Sequence, residues 1–417
     1  MEVKNVELMT KYQYTYFIYP YVIDNSKYNK YIQKLLRDKK CKLRIFERAR
    51  DMNLYQYFSP DIKDYMFWSF GLDREAIRNF DKLDIALKSN LLAEHDCNIF
   101  EYELSKDLQG KIGEKNGIFF DINDIKIVCY KTGVCFLIFK TSLLDSKEFS
   151  DILNFNYKFR EVNSQTYNLK QYENIKLQSD IFKDVREISS LIKDITGVYN
   201  EKNRLNFNDE ELITYSYCCL DQDAWKKETD SESIDNLFEK YRMFFPASKQ
   251  LADSVQNRDD MQIYENKYIR YGISNTGTVL LTSDVNTSNY TTVSQKYENE
   301  FLYTYILELY KKMLLQKMNS NFNKSSSFKK VEKEFLDFTK KLWIQETTND
   351  EIGKILSKKW SRNLGVEEIF LKLKNKYDIL YKQYNIEKTS DKNGKVVVAM
   401  VITIIIGVIN LIILLGK

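Results

Sequence analysis

Three prolines and thirteen glycines in 417 residues leave little material for long disordered linkers, so most of the chain is expected in helices and strands. One histidine, His95, removes most imidazole-based catalytic schemes. Its near neighbour Cys97 makes a His–Cys pair conceivable, but nucleophile and base normally meet from distant positions, so no catalytic pair is expected and the chain is read as a non-enzyme. Six cysteines, Cys41, Cys97, Cys129, Cys135, Cys218 and Cys219, show no Cys-x-x-Cys pair and no disulfide framework, which suits a reducing compartment. A net charge of +4 gives no reason to invoke nucleic acid. Gly110-Lys111 and Gly394-Lys395 lack the spaced glycine and following Ser/Thr of a phosphate-binding loop.

Aromatic residues are abundant, with 30 Tyr and 25 Phe, enough for two folded domains. The other prominent feature is Val396 to Leu415, VVVAMVITIIIGVINLIILL, twenty residues without a charge. At ~1.5 Å rise per residue a helix of that length spans the ~30 Å hydrocarbon core of a bilayer. Before it stand Lys372, Lys374, Lys376, Lys382, Lys388, Lys392 and Lys395, and a lysine excess on one side places that side in the cytoplasm. The N-terminal stretch, with Lys4, Glu7, Lys11 and Pro20, lacks the apolar core and small-residue cleavage site of a signal peptide. The expectation is a single-pass protein of the inner (plasma) membrane with a large cytoplasmic N-terminal body.

The fold class expected is α+β, in three parts: an α/β sheet domain over 1–285, a helical stalk over 286–394, and a transmembrane helix over 395–417. Thr15 to Ile23 reads as a strand in which Pro20 suggests an edge or bulge, followed by a helix from about Lys27 to Arg37. Ile125 to Tyr130 and Val134 to Thr141 flank Lys131-Thr132-Gly133, a hairpin expected at the centre of the sheet. Further strands are expected at Leu212 to Cys219 and Val279 to Thr282, and a helix around Phe182 to Ile195. From Tyr290 onward the periodic segments are helical: Tyr290 to Asn319, Phe328 to about Glu346, and Glu351 to Arg362, with Ser325-Ser326-Ser327 between the first two. After Gly365, the residues Val366, Phe370, Leu373, Tyr377, Leu380 and Tyr384 form a heptad seam that wants partner helices. The polar stretch Lys388 to Lys395 is expected to bend or fray.

Within the apolar run, Ala399, Thr403, Gly407 and Asn410 share one helical face, and small or polar residues on one face favour close helix–helix contact. Asn410 either hydrogen-bonds a neighbouring helix, lines a water-filled path, or sits near a hydrated interface. Carboxylate groups such as Asp121 and Asp124, or Glu346, Asp350 and Glu351, could offer oxygens to a hard cation, but a solvated face is the reading expected for them. Cys129 and Cys135 meet through hairpin geometry without needing a metal.

IRYGIS (Ile269 to Ser274), YENEFLYTYILELYKKMLLQKM (Tyr297 to Met318), LWIQETTNDEIGKIL (Leu342 to Leu356) and LGVEEIFLKLKNKYDILYKQY (Leu364 to Tyr384) resemble, in order, the cytoplasmic helical region of the CorA-like magnesium transporter family. TYFIYPYVI, YKTGVCFLIFKTS (Tyr130 to Ser142) and YRMFF (Tyr241 to Phe245) are similar to its divergent bacterial branch. The resemblance implies a cytoplasmic funnel, a homo-oligomer of five, a pore lined by the first membrane helix, and magnesium or another divalent cation as cargo. Two features depart from the family: one membrane helix replaces two, and Gly407-Val408-Ile409-Asn410 only echoes the family's Gly-Met-Asn signature. The alternative from a different class is a non-conducting, membrane-anchored sensor, interaction or membrane-effector protein.

Overall fold

The computed structural model of the chain describes residues 8–103, 108–113, 117–144, 148–160, 175–179, 182–197, 212–222, 225, 231–251, 261–322 and 328–415. It is a mixed α/β fold. The strands are β1 (Thr10–Val22), β2 (Cys41–Leu43), β3 (Cys97–Tyr102), β4 (Gln109–Ile112), β5 (Ile118–Tyr130), β6 (Val134–Leu143), β7 (Ile175–Ser179), β8 (Phe182–Glu187), β9 (Ile213–Leu220), β10 (Gln262–Asn266), β11 (Ile269–Ser274) and β12 (Gly277–Ser283). They form one 12-stranded sheet in the order β10-β11-β12-β9-β1-β6-β5-β4-β7-β8, with β3 branching from β5 and β2 from β3. The β9–β12 pair is parallel and the other described pairs are antiparallel.

The run YTYFIYPYV has no polar alternation because its strand is covered on both faces. Tyr14, Tyr16, Ile18 and Val22 of β1 point into one core, and Phe17, Tyr19 and Tyr21 into another. The second face is covered by α1 (Tyr28–Arg37), α5 (Ile85–Glu94), α6 (Phe149–Phe159), α7 (Ile188–Thr196) and α8 (Ser231–Arg242). On the first face lie α2 (Met52–Tyr57), α3 (Pro60–Met66) and the C-terminal helices; α4 (Arg74–Lys82) has no buried residue.

The C-terminal helices begin with a helical run in which π-turns, Asn289–Val293 and Tyr297–Phe301, bracket the short α-helical Ser294–Lys296 before α9 (Leu302–Phe322). There follow α10 (Phe328–Phe338) with a π-turn at Thr339–Trp343, α11 (Glu351–Asn363) and α12 (Val366–Leu415). Their side chains share one core with the sheet. Tyr310 of α9 stacks on Tyr130 of β5 with ring centroids 3.6 Å apart, and Tyr297 on Tyr215 of β9 at 4.2 Å. The residues on either side of position 285 therefore pack together.

Several expectations need correction. Strand β1 is not an edge: it lies between β6 and β9, and Pro20 falls beyond its last pair with β9, Ile18↔Ile213, where a missing N–H on that flank is tolerated. Phe182 to Glu187 is the strand β8, paired with β7, and helix starts only at Ile188; strand pairing overrides a weak local helix preference. No break occurs at 388–395, since α12 continues through it. One interior glycine costs ~1 kcal/mol, which a long cooperative helix absorbs. The hairpin stands as expected at the sheet's centre, with Gly133 at φ +82° in its turn. Ser325-Ser326-Ser327 lies outside the described residues.

Candidate functional site

The junction between the sheet body and α12 holds most of the candidate residues. Gly365 turns the chain from α11 into α12 with φ +69°, a conformation that costs a residue with Cβ ~1–2 kcal/mol. Its N–H bonds the Arg362 carbonyl at 3.0 Å, and its own carbonyl accepts from Ile369 N–H at 3.1 Å, so the turn and the first turn of α12 are continuous.

The seam on α12 divides in two. Val366, Phe370 and Leu373 are buried, with Phe370 flat on Trp343 (3.7 Å, 13° between planes) and near Phe335 (5.5 Å). Tyr377 also stacks on Phe335 at 5.2 Å, and the neighbouring Lys376 bonds Asn319 Oδ1 at 2.6 Å. Beyond Tyr377 the helix leaves the body: Leu380 and Tyr384 are half-buried, while Ile379 and Ile386 are 58% and 69% exposed. The partners that the first half of the seam wanted are thus helices of the same chain.

Of the four residues on one face of the apolar run, Ala399 and Thr403 are exposed, and the Thr403 hydroxyl donates to the Ala399 carbonyl at 2.8 Å. That is the i−4 back-bond of a helical threonine. Gly407 and Asn410 continue the same helix, but their side chains lie outside the described residues. Among the described residues no helix is long and apolar enough to cross a membrane, and most side chains of the run 396–415 fall outside that description.

The carboxylate groups proposed as cation ligands are dispersed. Asp124 pairs with Lys126 at 2.5 Å, Asp350 with Lys296 at 2.6 Å, and Glu346 with Lys354 at 3.0 Å. Among the described residues no group of three or more His, Cys, Asp or Glu side chains is placed to hold a metal ion. His95 stacks on Trp68 with centroids 4.0 Å apart, and burial holds its imidazole below the ordinary range. All six cysteines are free and buried, and burial pushes the Cys97 thiol well up.

Two features escaped the sequence reading. One is a charged patch on the first face of the sheet, where Glu298 accepts from the Tyr16 hydroxyl at 3.0 Å and pairs with Lys140. Nearby Arg44 bonds Asp51 at 2.6 Å and Glu101 at 3.1 Å, so the cations here have carboxylate partners. The other is Glu300, inside the π-turn, whose carboxyl is pushed up to about 7 chiefly by burial, with the Asp350 charge adding to the rise and Lys296 opposing it. Nothing in a 3.6-residue pattern announces a π-turn, because the extra residue shifts the inward face locally. No family model matches the chain, and no curated protein or solved structure matches it.

Proposed function

We propose that the chain is a bilayer-anchored, CorA-like homo-oligomer in which α12 couples the α/β body to a bundle of membrane helices that passes a divalent cation. One observation carries this reading: α12 is a single helix that starts in the core of the body, at Val366, Phe370 and Leu373, and runs into the uncharged stretch ending at Leu415. A helix rooted at one end in a packed core transmits displacement along its length, which a flexible tether does not. The body then lies on the lysine-rich side of the membrane, and the outer part of the seam, Leu380 and Tyr384, where α12 has left the body, meets other copies. In the bundle Ala399 and Gly407 allow close approach of helices, and Asn410 faces another helix or the path. Magnesium is the cargo on this reading. No enzymatic role is proposed.

The test is the mass of the detergent-solubilised particle together with magnesium flux into liposomes. A pentamer that conducts, and that loses flux without dissociating in Thr403→Val or Asn410→Leu, supports the reading. A pentamer silent in every form favours a non-conducting anchored sensor or effector, for which the exposed Thr403, bonded to its own helix, is the favouring observation. A monomer overturns the bundle.

A further inference from the structure

We infer that the stack of His95 on Trp68 is an acid-sensitive clasp: with a neutral imidazole it holds α4 to the sheet body, and protonation of the ring opens it. The inference goes beyond the transport reading and stands without it, since every contact it uses lies within the body.

His95 sits in the link between α5 and β3, where its backbone is fixed. Its N–H donates to the Leu92 carbonyl at 3.2 Å, and the carbonyl of the next residue, Asp96, accepts from Lys131 N–H at 2.9 Å. The imidazole lies flat on Trp68, with ring centroids 4.0 Å apart and planes 4° from parallel. Trp68 opens a single 3-10 turn, Trp68–Gly71, that leads into α4. Its indole also meets Phe80 of α4, at 5.9 Å and 60° between planes. Helix α4 has no buried residue, and half-buried Phe80 packs on the core of the second sheet face, as Trp68 does. One indole therefore stands between the imidazole and the helix.

A neutral imidazole stacks on an indole without a charge to solvate. An imidazolium carries a positive charge and two N–H donors, which need acceptors or water. Among the described residues neither ring nitrogen of His95 has a hydrogen-bond partner. The nearby carboxylates are engaged. Asp96 accepts from Lys341, of the π-turn Thr339–Trp343, through both oxygens at 3.0 and 2.8 Å, and Glu94 pairs with Lys131 at 3.0 Å. The turn Trp68–Gly71 brings no titratable side chain. Burial of the ring disfavours its charge, Asp96 and Glu94 favour it and Lys131 opposes it, with the balance on the neutral side. An indole face attracts a cation by about 0.5–1 kcal/mol where water has access. Hydrogen bonds to a charged group are worth about 1.5–3 kcal/mol each, so an imidazolium gains more by turning into water. The side chain then rotates away from its fixed backbone, uncovers Trp68 and loosens the indole against Phe80. The stacked form binds the proton more weakly than the open form, so the clasp holds above the ordinary histidine range of about 6.5 and is lost as pH falls below it.

Because His95 is the single histidine, carbon-13 labelling at histidine Cε1 gives one imidazole resonance to follow by NMR in the full chain in detergent. Near neutral pH that resonance should be displaced upfield by the indole ring current. On acidification it should move to the position of an exposed imidazolium, with a midpoint below that of Trp68→Leu. Hydrogen exchange, corrected for its intrinsic pH dependence, should show the peptide covering Arg74–Lys82 losing protection roughly fivefold between about pH 7.5 and about pH 5. His95→Gln, which stays neutral, should remove that change. Any one of three results overturns the clasp: no upfield displacement at neutral pH, a wild-type midpoint at or above that of Trp68→Leu, or α4 exchange in His95→Gln that follows the wild type. Should Trp68→Leu not fold, a wild-type resonance that keeps its ring-current displacement when protonated overturns it instead.

Discussion

Trp343 lies flat against Phe370, ring centroids 3.7 Å apart and planes 13° from parallel, so the π-turn that ends the α10 region is fastened to the root of α12. Phe370 is also near Phe335 and Phe338. This aromatic group forms part of the core that anchors the long helix to the body.

Phe370→Ala should therefore destabilise the body by about 3 kcal/mol, as expected for removing a buried ring whose neighbours cannot close the gap. Leu380→Ala, ten residues further along the same seam, should change body stability by less than about 1 kcal/mol, because its site is half-exposed. Denaturant unfolding measures both. If the outer part of the seam joins copies, Leu380→Ala should instead lower the particle mass in detergent.

Two glycines near α11 should respond differently to alanine. Gly365 has φ +69° and open space around a would-be Cβ, so Gly365→Ala should cost only the backbone term of about 1–2 kcal/mol, and Gly365→Asn less. Gly353→Ala meets the Tyr57 hydroxyl and should cost more, with the Tyr57–Thr304 contact disturbed. Thermal unfolding midpoints of the three variants, ranked against one another, check this order.

Glu300 gives the stability a pH dependence whose sign is fixed. Its folded carboxyl is raised to about 7 from an ordinary value of 4.5, so the folded state holds its proton more tightly than the unfolded state between those values. Stability from this group is present at acid pH and is lost as pH rises through that window. The unfolding midpoint of Glu300→Gln, measured relative to wild type, should rise from about pH 5 to about pH 8 and then level off. A constant difference would contradict the assignment.

The cysteines should be chemically silent. All six are buried, and burial pushes the Cys41 thiol up to about 12, so little reactive thiolate forms near neutral pH. A chromogenic disulfide reagent should titrate none of them in the folded chain and all of them in denaturant. Rapid labelling of the folded protein would show that the strand carrying the labelled cysteine opens locally.

The hairpin, α1 and the later helices were legible because each follows from a local cause: a three-residue turn with a glycine at positive φ, or an apolar period of 3.6. The strand β8 was not, because residues 182–187 carry an ambiguous pattern settled by pairing with β7. The central place of β1 was also hidden, since Pro20 argues for an edge unless one knows where β9 ends. Of the candidate residues, the seam was readable as a period but not its division at Tyr377, which depends on where α10 reaches.

What the sequence determined by itself is whatever short-range chemistry settles: the uncharged run from Val396, the lysines before it, the single histidine, and the turns at Gly133 and Gly365. The tertiary structure decided which groups meet from distant parts of the chain, such as Tyr57 with Thr304 and Tyr130 with Tyr310, and that Glu300 is buried. The physical reason is that periodicity fixes which face of an element is apolar, whereas burial and electrostatics depend on what packs against that face. A carboxyl identical in sequence to its neighbours has its pKa raised by burial only where the fold, here at a π-turn, buries it.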